Sequence, residues 1–222
     1  MKSTTRIIKV IGITLLIGCA AARAESWSDN LYLHADIGPA FVPNTTTKAI
    51  GVFGGSFFAS QGRLEFDPGI RGDLSLGYNL TKSWAVELEA GAVWNPIQSS
   101  ENSFYQVPIM FKTRYQVSLN KSWKVYFGAG AGEVIGIFEG EFLDPNFHVP
   151  LRISDMNTAF GYEAEAGIKY NLSRRFEIDL GYRFLGVNEY DWNFQRRFAY
   201  TVNLRTDDIF THSAQLSLTW KF

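Results

Sequence analysis

Apolar and polar residues alternate along most of the chain. In THSAQLSLTWKF, which ends at Phe222, every second side chain from Ala214 onward is apolar or aromatic, and the side chains between them are polar. A β-strand has a side-chain period of two. Each segment of this kind therefore predicts a strand with one apolar face and one polar face.

Eight segments with this period are separated by turn-forming residues. They cover residues 31–38, 70–78, 84–94, 105–117, 123–132, 160–170, 176–184 and 211–222. Most have roughly the 9 to 11 residues that a tilted strand needs to cross a bilayer. Since no convincing segment has the period of an amphipathic helix, we predict an all-β protein.

Three short connections between these segments share a motif. LTKSW, LNKSW and LSRRF each contain leucine, a small polar residue, a base, a polar residue and an aromatic residue. A tyrosine precedes each of them: Tyr78, Tyr115 and Tyr170. Together with Trp220 and Phe222, these aromatic residues are predicted to form a ring at one level. Such a ring of residues is typical of a membrane interface. The body of each aromatic side chain favours lipid, and the polar tip of tyrosine and tryptophan favours water.

Charged residues of both signs lie on the polar face of the predicted strands. A soluble β-sandwich also has short alternating strands, but it leaves the aromatic residues beside every short turn unexplained. In a barrel, the same alternation places apolar side chains against lipid and charges in the lumen, where opposite signs pair. We therefore predict a closed antiparallel up-and-down transmembrane β-barrel. Its predicted lumen network comprises Arg71, Asp73, Glu87, Glu89, Lys112, Arg114, Glu163, Glu165, Lys169, Asp179 and Arg183.

The barrel is predicted to have eight strands, with ten as the alternative. Strands are added in pairs when both chain ends lie on the same side of the membrane. Three long connections, at 42–62, 139–158 and 187–208, lie opposite the short turns. We expect 42–62 to be too short for two further crossings. The stretch FAYTVNL, within 187–208, is expected to lengthen the eighth strand beyond the membrane.

The beginning of the chain has the features of a secretory signal peptide. Three basic residues precede a short apolar run, and a small-residue Ala-Arg-Ala motif ends the segment at residue 24. The run is shorter than the ~20 apolar residues of a spanning helix. We therefore predict a signal peptide over 1–24 and a barrel domain over 25–222. Lipidation at Cys19 is the alternative, because LIGC at 16–19 resembles a lipobox.

Charge and composition limit the chemistry of the predicted mature chain, which has 17 basic residues, 22 acidic residues and no cysteine. This mild acidity provides no electrostatic basis for binding nucleic acid. An eight-stranded interior is just wide enough for side chains to fill it. The nearly balanced lumen charges therefore predict a packed ion-pair network, with a small porin-like channel as the alternative. The histidines predict no metal cluster, and we predict no cofactor.

Four residues at the end of the chain carry a family resemblance: Leu216, Leu218, Trp220 and Phe222. Their spacing resembles the assembly signal of bacterial outer-membrane barrels. The chain resembles the OmpA/OmpX-type family of small eight-stranded barrels over nearly all of its predicted mature length. The resemblance implies an integral outer-membrane protein, secreted through the inner membrane and surrounded by outer-membrane lipid and lipopolysaccharide. It also implies the barrel-insertion machinery as a partner during assembly.

The long connections favour a non-enzymatic role in envelope structure, surface interaction or adhesion, because exposed aromatic residues and arginine are common binding anchors. An outer-membrane hydrolase is the alternative. The lipid A deacylases resemble this chain in size, and they place a serine two residues after a lipid-facing histidine. His212 has a suitable position, but Ala214 stands where that serine is expected and Ser213 is predicted to face inward. A serine needs a base within hydrogen-bonding reach, so we predict no catalytic residue.

Overall fold

A computed structural model of the chain describes residues 30–53, 56–98, 102–143, 150–196 and 200–222. Within these residues, no helix has the length and hydropathy needed to cross a membrane. The strands in chain order are β1 (Leu31–Phe41), β2 (Thr45–Phe53), β3 (Ser56–Leu64), β4 (Gly69–Asn79), β5 (Trp84–Pro96), β6 (Ser103–Ser118), β7 (Trp123–Leu143), β8 (Pro150–Asn171), β9 (Phe176–Val187), β10 (Asp191–Arg196), β11 (Tyr200–Thr206) and β12 (Ile209–Lys221).

Eight of these strands form a closed antiparallel barrel in the order β1-β12-β9-β8-β7-β6-β5-β4. They correspond to the eight segments that the alternation predicts, so the fold class and the strand count are confirmed. The barrel closes between β1 and β12, where Ala35 pairs with Leu218. Closure leaves no unpaired sheet edge in the barrel, and this is what a β-structure needs within a bilayer.

Each short turn is fixed by the second residue of the shared motif. Thr81 Oγ1 accepts hydrogen bonds from the backbone N–H groups of Ser83 and Trp84. Asn120 and Ser173 accept the equivalent bonds in the other two turns. A short polar side chain that binds nearby backbone N–H groups stabilises a tight turn. This contact explains why each motif has a small polar residue after its leucine. We call this end of the barrel the turn end and the opposite end the loop end.

Aromatic pairs flank the turns on the outer surface. The ring centroids of Trp84 and Tyr115 are 4.8 Å apart, and those of Trp123 and Tyr170 are also 4.8 Å apart. Above these pairs the outer surface is apolar, and Leu180 has 67% of its surface exposed. An apolar band with an aromatic edge is the lipid-facing surface of a transmembrane barrel.

The remaining four strands form a second sheet beyond the loop end, in the order β10-β11-β2-β3. We call it the loop sheet. It joins the connection after β1 to the connection after β9, because β2 pairs with β11 at Val52 and Thr201. The additional strands therefore belong to the loops, and the ten-strand barrel alternative is wrong.

The expected role of FAYTVNL agrees with the strand pairing. Residues Tyr200–Thr206 form β11, which pairs with β10 and β2 in the same register that β12 has with β9 and β1, so β11 continues the eighth barrel strand outward. A two-residue break at Asp207 and Asp208 separates β11 from β12.

The connection predicted at 139–158 is largely a continuation of the barrel hairpin. Glu139 pairs with Ser154, and Leu143 pairs with Pro150. Residues 144–149 lie outside the described residues. Continued pairing satisfies backbone groups that an irregular loop would leave to water, so the hairpin of β7 and β8 is longer than the membrane crossing requires.

Candidate functional site

The lumen network lies inside the barrel, and the structure brings all eleven of its predicted members into the buried interior. Arg183, on β9, is at its centre. One guanidinium nitrogen lies 2.9 Å from both Asp73 and Glu89. The other lies 3.0 Å from both Asp36 and Glu165. A planar guanidinium with several donors is suited to bridging several carboxylates.

Three further cations complete the central part of the lumen network. Lys112 Nζ lies 2.5 Å from Glu89 and 3.3 Å from Glu87. Arg114 lies 3.0 Å from Glu87 and 2.7 Å from Glu165. Arg71 lies 2.6 Å from Asp73 and 3.2 Å from both Glu89 and Glu163. Every carboxylate that these three cations contact also contacts a second cation of the network, so the charges are neutralised collectively.

Glycines on β7 provide the space for these long side chains. A Cβ atom at Gly128 would lie 2.5 Å from Glu165 Oε1, and one at Gly130 would lie 2.6 Å from Lys112 Cγ. Both glycines face the lumen, because they alternate with the outward-facing residues of β7. The close approach supports a packing role for these glycines.

A second group of charges lies near the turn end of the lumen. Glu177 accepts ion pairs from Lys124 at 2.8 Å and Lys169 at 3.3 Å. Lys221 contacts the same carboxylate at 2.5 Å. The Tyr126 hydroxyl donates a hydrogen bond to Asp179 at 3.0 Å. Lys169 and Asp179, the two predicted members nearest this end, are therefore joined to the barrel wall through Glu177 and Tyr126.

Two tyrosines belong to this interior although the charge pattern does not point to them. The Tyr32 hydroxyl donates to Glu87 at 2.5 Å, and Arg114 lies over the Tyr126 ring at 4.7 Å from its centroid. Both tyrosines are at alternate strand positions whose side chains face the lumen. A buried tyrosine hydroxyl usually has a hydrogen-bond partner. Parity and hydroxyl chemistry together were the signal that could have identified them.

Three buried carboxylates approach each other closely enough to hold a cation. Ligand atoms of Asp36, Asp73 and Glu89 all lie within 4.8 Å of one another. The guanidinium of Arg183 contacts all three at 2.9–3.0 Å. Because this side chain supplies the positive charge at their centre, the geometry is that of an ion-pair cluster.

The lumen near the loop end has a different filling, which we call the mouth cluster. It consists of Val42, Ile97, Phe104, Met110, Val134, Phe138, Leu185, Val187, Tyr190, Trp192 and Ile209. Trp192, from β10, is 0% exposed, and its indole N–H donates to the carbonyl of Gly136 at 3.3 Å. Its ring stacks on Tyr190 with a centroid distance of 5.0 Å. The polar lining of the lumen is interrupted here among the residues that the structure describes.

The mouth cluster depends on a close contact at Gly136. A Cβ atom at this position would lie 2.6 Å from the Tyr190 ring. Burial raises the pKa of the Tyr190 hydroxyl well above its ordinary value. A polar pair lies between the mouth cluster and the charged layer, which is the part of the lumen that holds the lumen network. Thr211 donates a hydrogen bond to Gln106 there, at 3.0 Å. The interior thus changes from ion pairs to packed aromatic and aliphatic side chains.

The outer face of the loop sheet combines polar, basic and apolar residues. Asn203 donates hydrogen bonds to Asp191 and Asn193 across neighbouring strands. Arg205 pairs with Glu189, and its hydrogen bond holds the pKa of the Glu189 carboxyl below the ordinary value. Exposed apolar side chains on β2 and β3 are Ile50, Val52 and Phe57.

A comparison with known families agrees with this architecture. The family model described as "Outer membrane protein beta-barrel domain" matches residues 11–222. The chain belongs to this family. The turn end is therefore the periplasmic end, and the loop sheet lies on the outer side of the bacterial outer membrane. None of the curated proteins matches the chain significantly.

Solved structures show the same fold at low sequence identity. OprG from Pseudomonas aeruginosa aligns with a TM-score of 0.59 and 11% identity, covering 88% of this chain and 98% of that one. Neisserial surface protein A aligns with a TM-score of 0.51 and 13% identity, over 86% and 97%. AlkL aligns with a TM-score of 0.53 and 14% identity, over 90% and 95%. At these identities the likeness concerns the fold alone.

The predicted assembly signal lies at the periplasmic end of the barrel wall. Its four residues are Leu216, Leu218, Trp220 and Phe222, and all are exposed on the outer surface. The rings of Trp220 and Phe222 are 4.6 Å apart. This placement continues the aromatic ring of the turn end. Recognition of these residues by the insertion machinery stays a prediction.

His212 lies on the outer surface of β12, close to the outward end. Its Nδ1 atom is 2.6 Å from the Tyr182 hydroxyl, and its ring is 5.4 Å from that of Phe184. Ser213 is buried on the inward face, as its parity predicts, and Ala214 is the next outward residue. The histidine is thus joined to an aromatic cluster at the lipid surface, and the neighbouring serine lies on the other side of the barrel wall.

Proposed function

We propose that this chain is a non-enzymatic integral outer-membrane protein whose barrel is a closed anchor for the loop sheet. The observation that carries the proposal is the two-layer filling of the lumen. Arg183 and Trp192 are fully buried in the charged layer and the mouth cluster, respectively. An anchor of this kind favours a role in envelope structure, surface interaction or adhesion over transport through the lumen.

The closed-anchor proposal is tested by electrical recording. The purified full-length protein, reconstituted in planar bilayers, should show little steady conductance, because an ion would have to cross both a neutralised charge layer and an apolar layer. A reconstituted porin run in parallel shows that the bilayer reports open channels. Large, stable openings would contradict the proposal and favour the porin-like alternative.

The outer face of the loop sheet is the proposed interaction surface. The exposed side chains of Lys48 and Arg63 lie on this face, on the strands that also carry Ile50, Val52 and Phe57. A surface that combines cations with apolar groups is suited to anionic, partly apolar partners, such as lipopolysaccharide or a surface protein.

This surface is tested by cosedimentation of the reconstituted protein with lipopolysaccharide aggregates. The double variant Lys48→Gln and Arg63→Gln should lower the bound fraction, and added salt should lower it for the unmodified protein. The matched control is Lys82→Gln with Lys121→Gln, which removes two cations from the periplasmic turns. Equal losses in both variants would contradict binding through the loop sheet.

During biogenesis we propose that the chain is secreted through the inner membrane by its predicted signal peptide and inserted by the barrel-insertion machinery. The outward-facing residues of the predicted assembly signal support this order, since a receptor can reach them on the surface of β12. Outer-membrane lipid and lipopolysaccharide would then contact the apolar band, and nucleic acid is not a proposed partner.

A further inference from the structure

The loop sheet continues the barrel wall outward. Its β2–β11, β2–β3 and β10–β11 pairs keep the registers of the barrel pairs β1–β12, β1–β4 and β9–β12. β10 also runs beside β8, because the Asn193 backbone N–H donates to Asp155 at 3.0 Å. The strands of the loop sheet therefore lead away from the membrane, and the β2–β3 and β10–β11 hairpins project beyond it.

The outer face of this wall becomes more apolar with distance from the membrane. On β2 the exposed side chains, in outward order, are Lys48, Ile50 and Val52. On β3 the exposed Arg63 is nearer the barrel, and Phe57, which is 71% exposed, lies at the far end beside Val52. We call Ile50, Val52 and Phe57 the apolar tip. A contiguous exposed apolar patch of this kind marks a binding site.

Three cations, Arg205, Lys48 and Arg63, form a cation collar on the barrel side of the apolar tip. Arg205 on β11 is directly opposite Lys48, and Arg63 is diagonal to Lys48 on the other side. Arg205 is paired with Glu189, whereas Lys48 and Arg63 form no ion pair with the residues that the structure describes. Like charges at opposed positions of a sheet repel each other. A bound anionic surface would reduce this repulsion.

Acidic side chains lie on the barrel side of the cation collar. The exposed Asp207 and Asp208 come between β12 and Arg205, and the half-buried Glu65 comes between β4 and Arg63. These carboxylates repel an anionic surface. A partner with such a surface is therefore attracted as far as the cation collar and opposed beyond it.

We propose that the apolar tip and the cation collar bind a second membrane, one with an anionic phospholipid surface, that approaches the cell from outside. The proposal rests on the proposed function, in which the closed barrel anchors the loop sheet as an interaction surface. A phospholipid bilayer combines the two properties that this surface requires, since its headgroups are anionic and its interior is apolar. The apolar tip would enter the membrane interface, and the cations would contact the lipid phosphates.

The spacing along β2 fits this arrangement. Val52 is four positions beyond Lys48, which is roughly 13 Å along a strand and roughly 10 Å along the membrane normal at the usual strand tilt. Interfacial segments bury their apolar side chains by roughly 5–10 Å, so insertion of Val52 places Lys48 level with the headgroups. The protein's own lipid does not supply this match, because its apolar part surrounds the barrel and the apolar tip is the part farthest from it.

Vesicle flotation measures the proposed binding. The full-length protein, embedded in nanodiscs of phosphatidylcholine, should float with vesicles of phosphatidylcholine and phosphatidylserine, and less with vesicles of phosphatidylcholine alone. Lys48→Gln with Arg63→Gln should lower the partition coefficient for the anionic vesicles roughly 30-fold, at roughly fivefold for each cation near the surface. The matched control is Lys82→Gln with Lys121→Gln, which removes two exposed cations from the periplasmic turns and should keep the binding.

The apolar tip is tested in the same assay. Val52→Ser with Phe57→Ser should lower the partition coefficient roughly tenfold or more, because two apolar side chains no longer enter the membrane. The matched control is Leu80→Ser with Leu119→Ser, since these leucines are exposed in the periplasmic turns. Heat-modifiable migration on gels shows for each variant that the barrel is folded.

A fluorescent label locates the contact. Phe57→Cys, labelled with an environment-sensitive dye, should shift its emission to shorter wavelength when anionic vesicles are added. The same label at Asp208→Cys should show no shift, because this position lies on the barrel side of the cation collar. The unsubstituted chain, labelled in parallel, gives the background from Cys19.

Four results would overturn the proposal. One is a folded protein that does not float with anionic vesicles, and another is equal flotation with both kinds of vesicle. The third is binding that the tip variants and the turn variants change equally, or that leaves the label at position 57 in water. The fourth is cosedimentation with lipopolysaccharide without flotation, which would assign the tip to lipopolysaccharide. Electrical recording tests the closed-anchor function separately, so its failure and the failure of this proposal are distinguishable.

Discussion

Replacement of Arg183 by methionine is the most direct test of how the barrel interior is stabilised. The substitution keeps much of the side-chain volume but removes the cation between Asp36, Asp73, Glu89 and Glu165, each within 3.0 Å of the guanidinium. Other cations continue to contact three of these carboxylates, whereas Asp36 loses its arginine and keeps the nearby His34 at 3.6 Å. The variant therefore leaves buried negative charge incompletely neutralised.

Removing one partner of a buried ion pair destabilises a protein by about 3–5 kcal/mol. We expect Arg183→Met to lower the free energy of unfolding by an amount in this range, because one guanidinium serves several fully buried acids. Lys221→Met is the matched control. Its ammonium is 29% exposed and contacts Glu177, which also keeps Lys124 and Lys169. A partly exposed pair of this kind contributes up to about 1 kcal/mol.

The assay is denaturant unfolding of both variants in the same lipid vesicles, followed by tryptophan fluorescence and by heat-modifiable migration. Adding Asp36→Asn to Arg183→Met should recover part of the lost stability, since it removes the acid that loses its arginine. Equal, small losses for Arg183→Met and Lys221→Met would refute the reasoning. Such a result would mean that water in the lumen solvates these carboxylates and that ion pairing contributes little to their stability.

Three other changes to the chain, one deletion and two substitutions, test different parts of the molecule. Deletion of Phe222 should reduce the folded, membrane-inserted fraction in cells, and undiminished assembly would show that the terminal pattern is not needed. Trp192→Ala should lower the free energy of unfolding by about 3–5 kcal/mol through loss of packing in the mouth cluster, whereas exposed Trp84→Ala should have a smaller effect. Lipid A from cells expressing the unmodified chain and His212→Ala should have the same acyl chains by mass spectrometry, and a chain lost only when His212 is present would make the protein an enzyme.

The alternation of side chains predicted the barrel because lipid and lumen impose opposite preferences at successive positions. The same parity placed distant residues in one interior: Arg71 and Glu163, which are on β4 and β8, lie 3.2 Å apart. Parity could also have predicted the apolar layer, since Phe104 and Leu185 face inward near the outward ends of their strands. The sequence analysis used only the charged residues to predict how the lumen is filled, so it did not assign these apolar residues to the interior.

The loop sheet could not be predicted in the same way. The sequence predicts that FAYTVNL lengthens the eighth strand, but the pairing of β11 with a strand inside the connection at 42–62 depends on a contact between residues about 150 positions apart in the chain. Trp192 has a similar limitation. Its burial depends on contacts with Phe104 and Phe138 of other strands, and a local pattern of residues carries no information on those contacts.

The mouth cluster connects the two parts of the molecule. Trp192 belongs to β10 of the loop sheet, yet it packs on Phe104 of the barrel strand β6 with a centroid distance of 6.0 Å. Folding of the outer hairpin and closure of the lumen are therefore the same packing event. Closure also strengthens the ion pairs beneath it, because excluding water lowers the local dielectric constant and raises the interaction energy between charges. A surface substitution that unfolds the β10–β11 hairpin should consequently weaken the lumen network, although it touches none of its members.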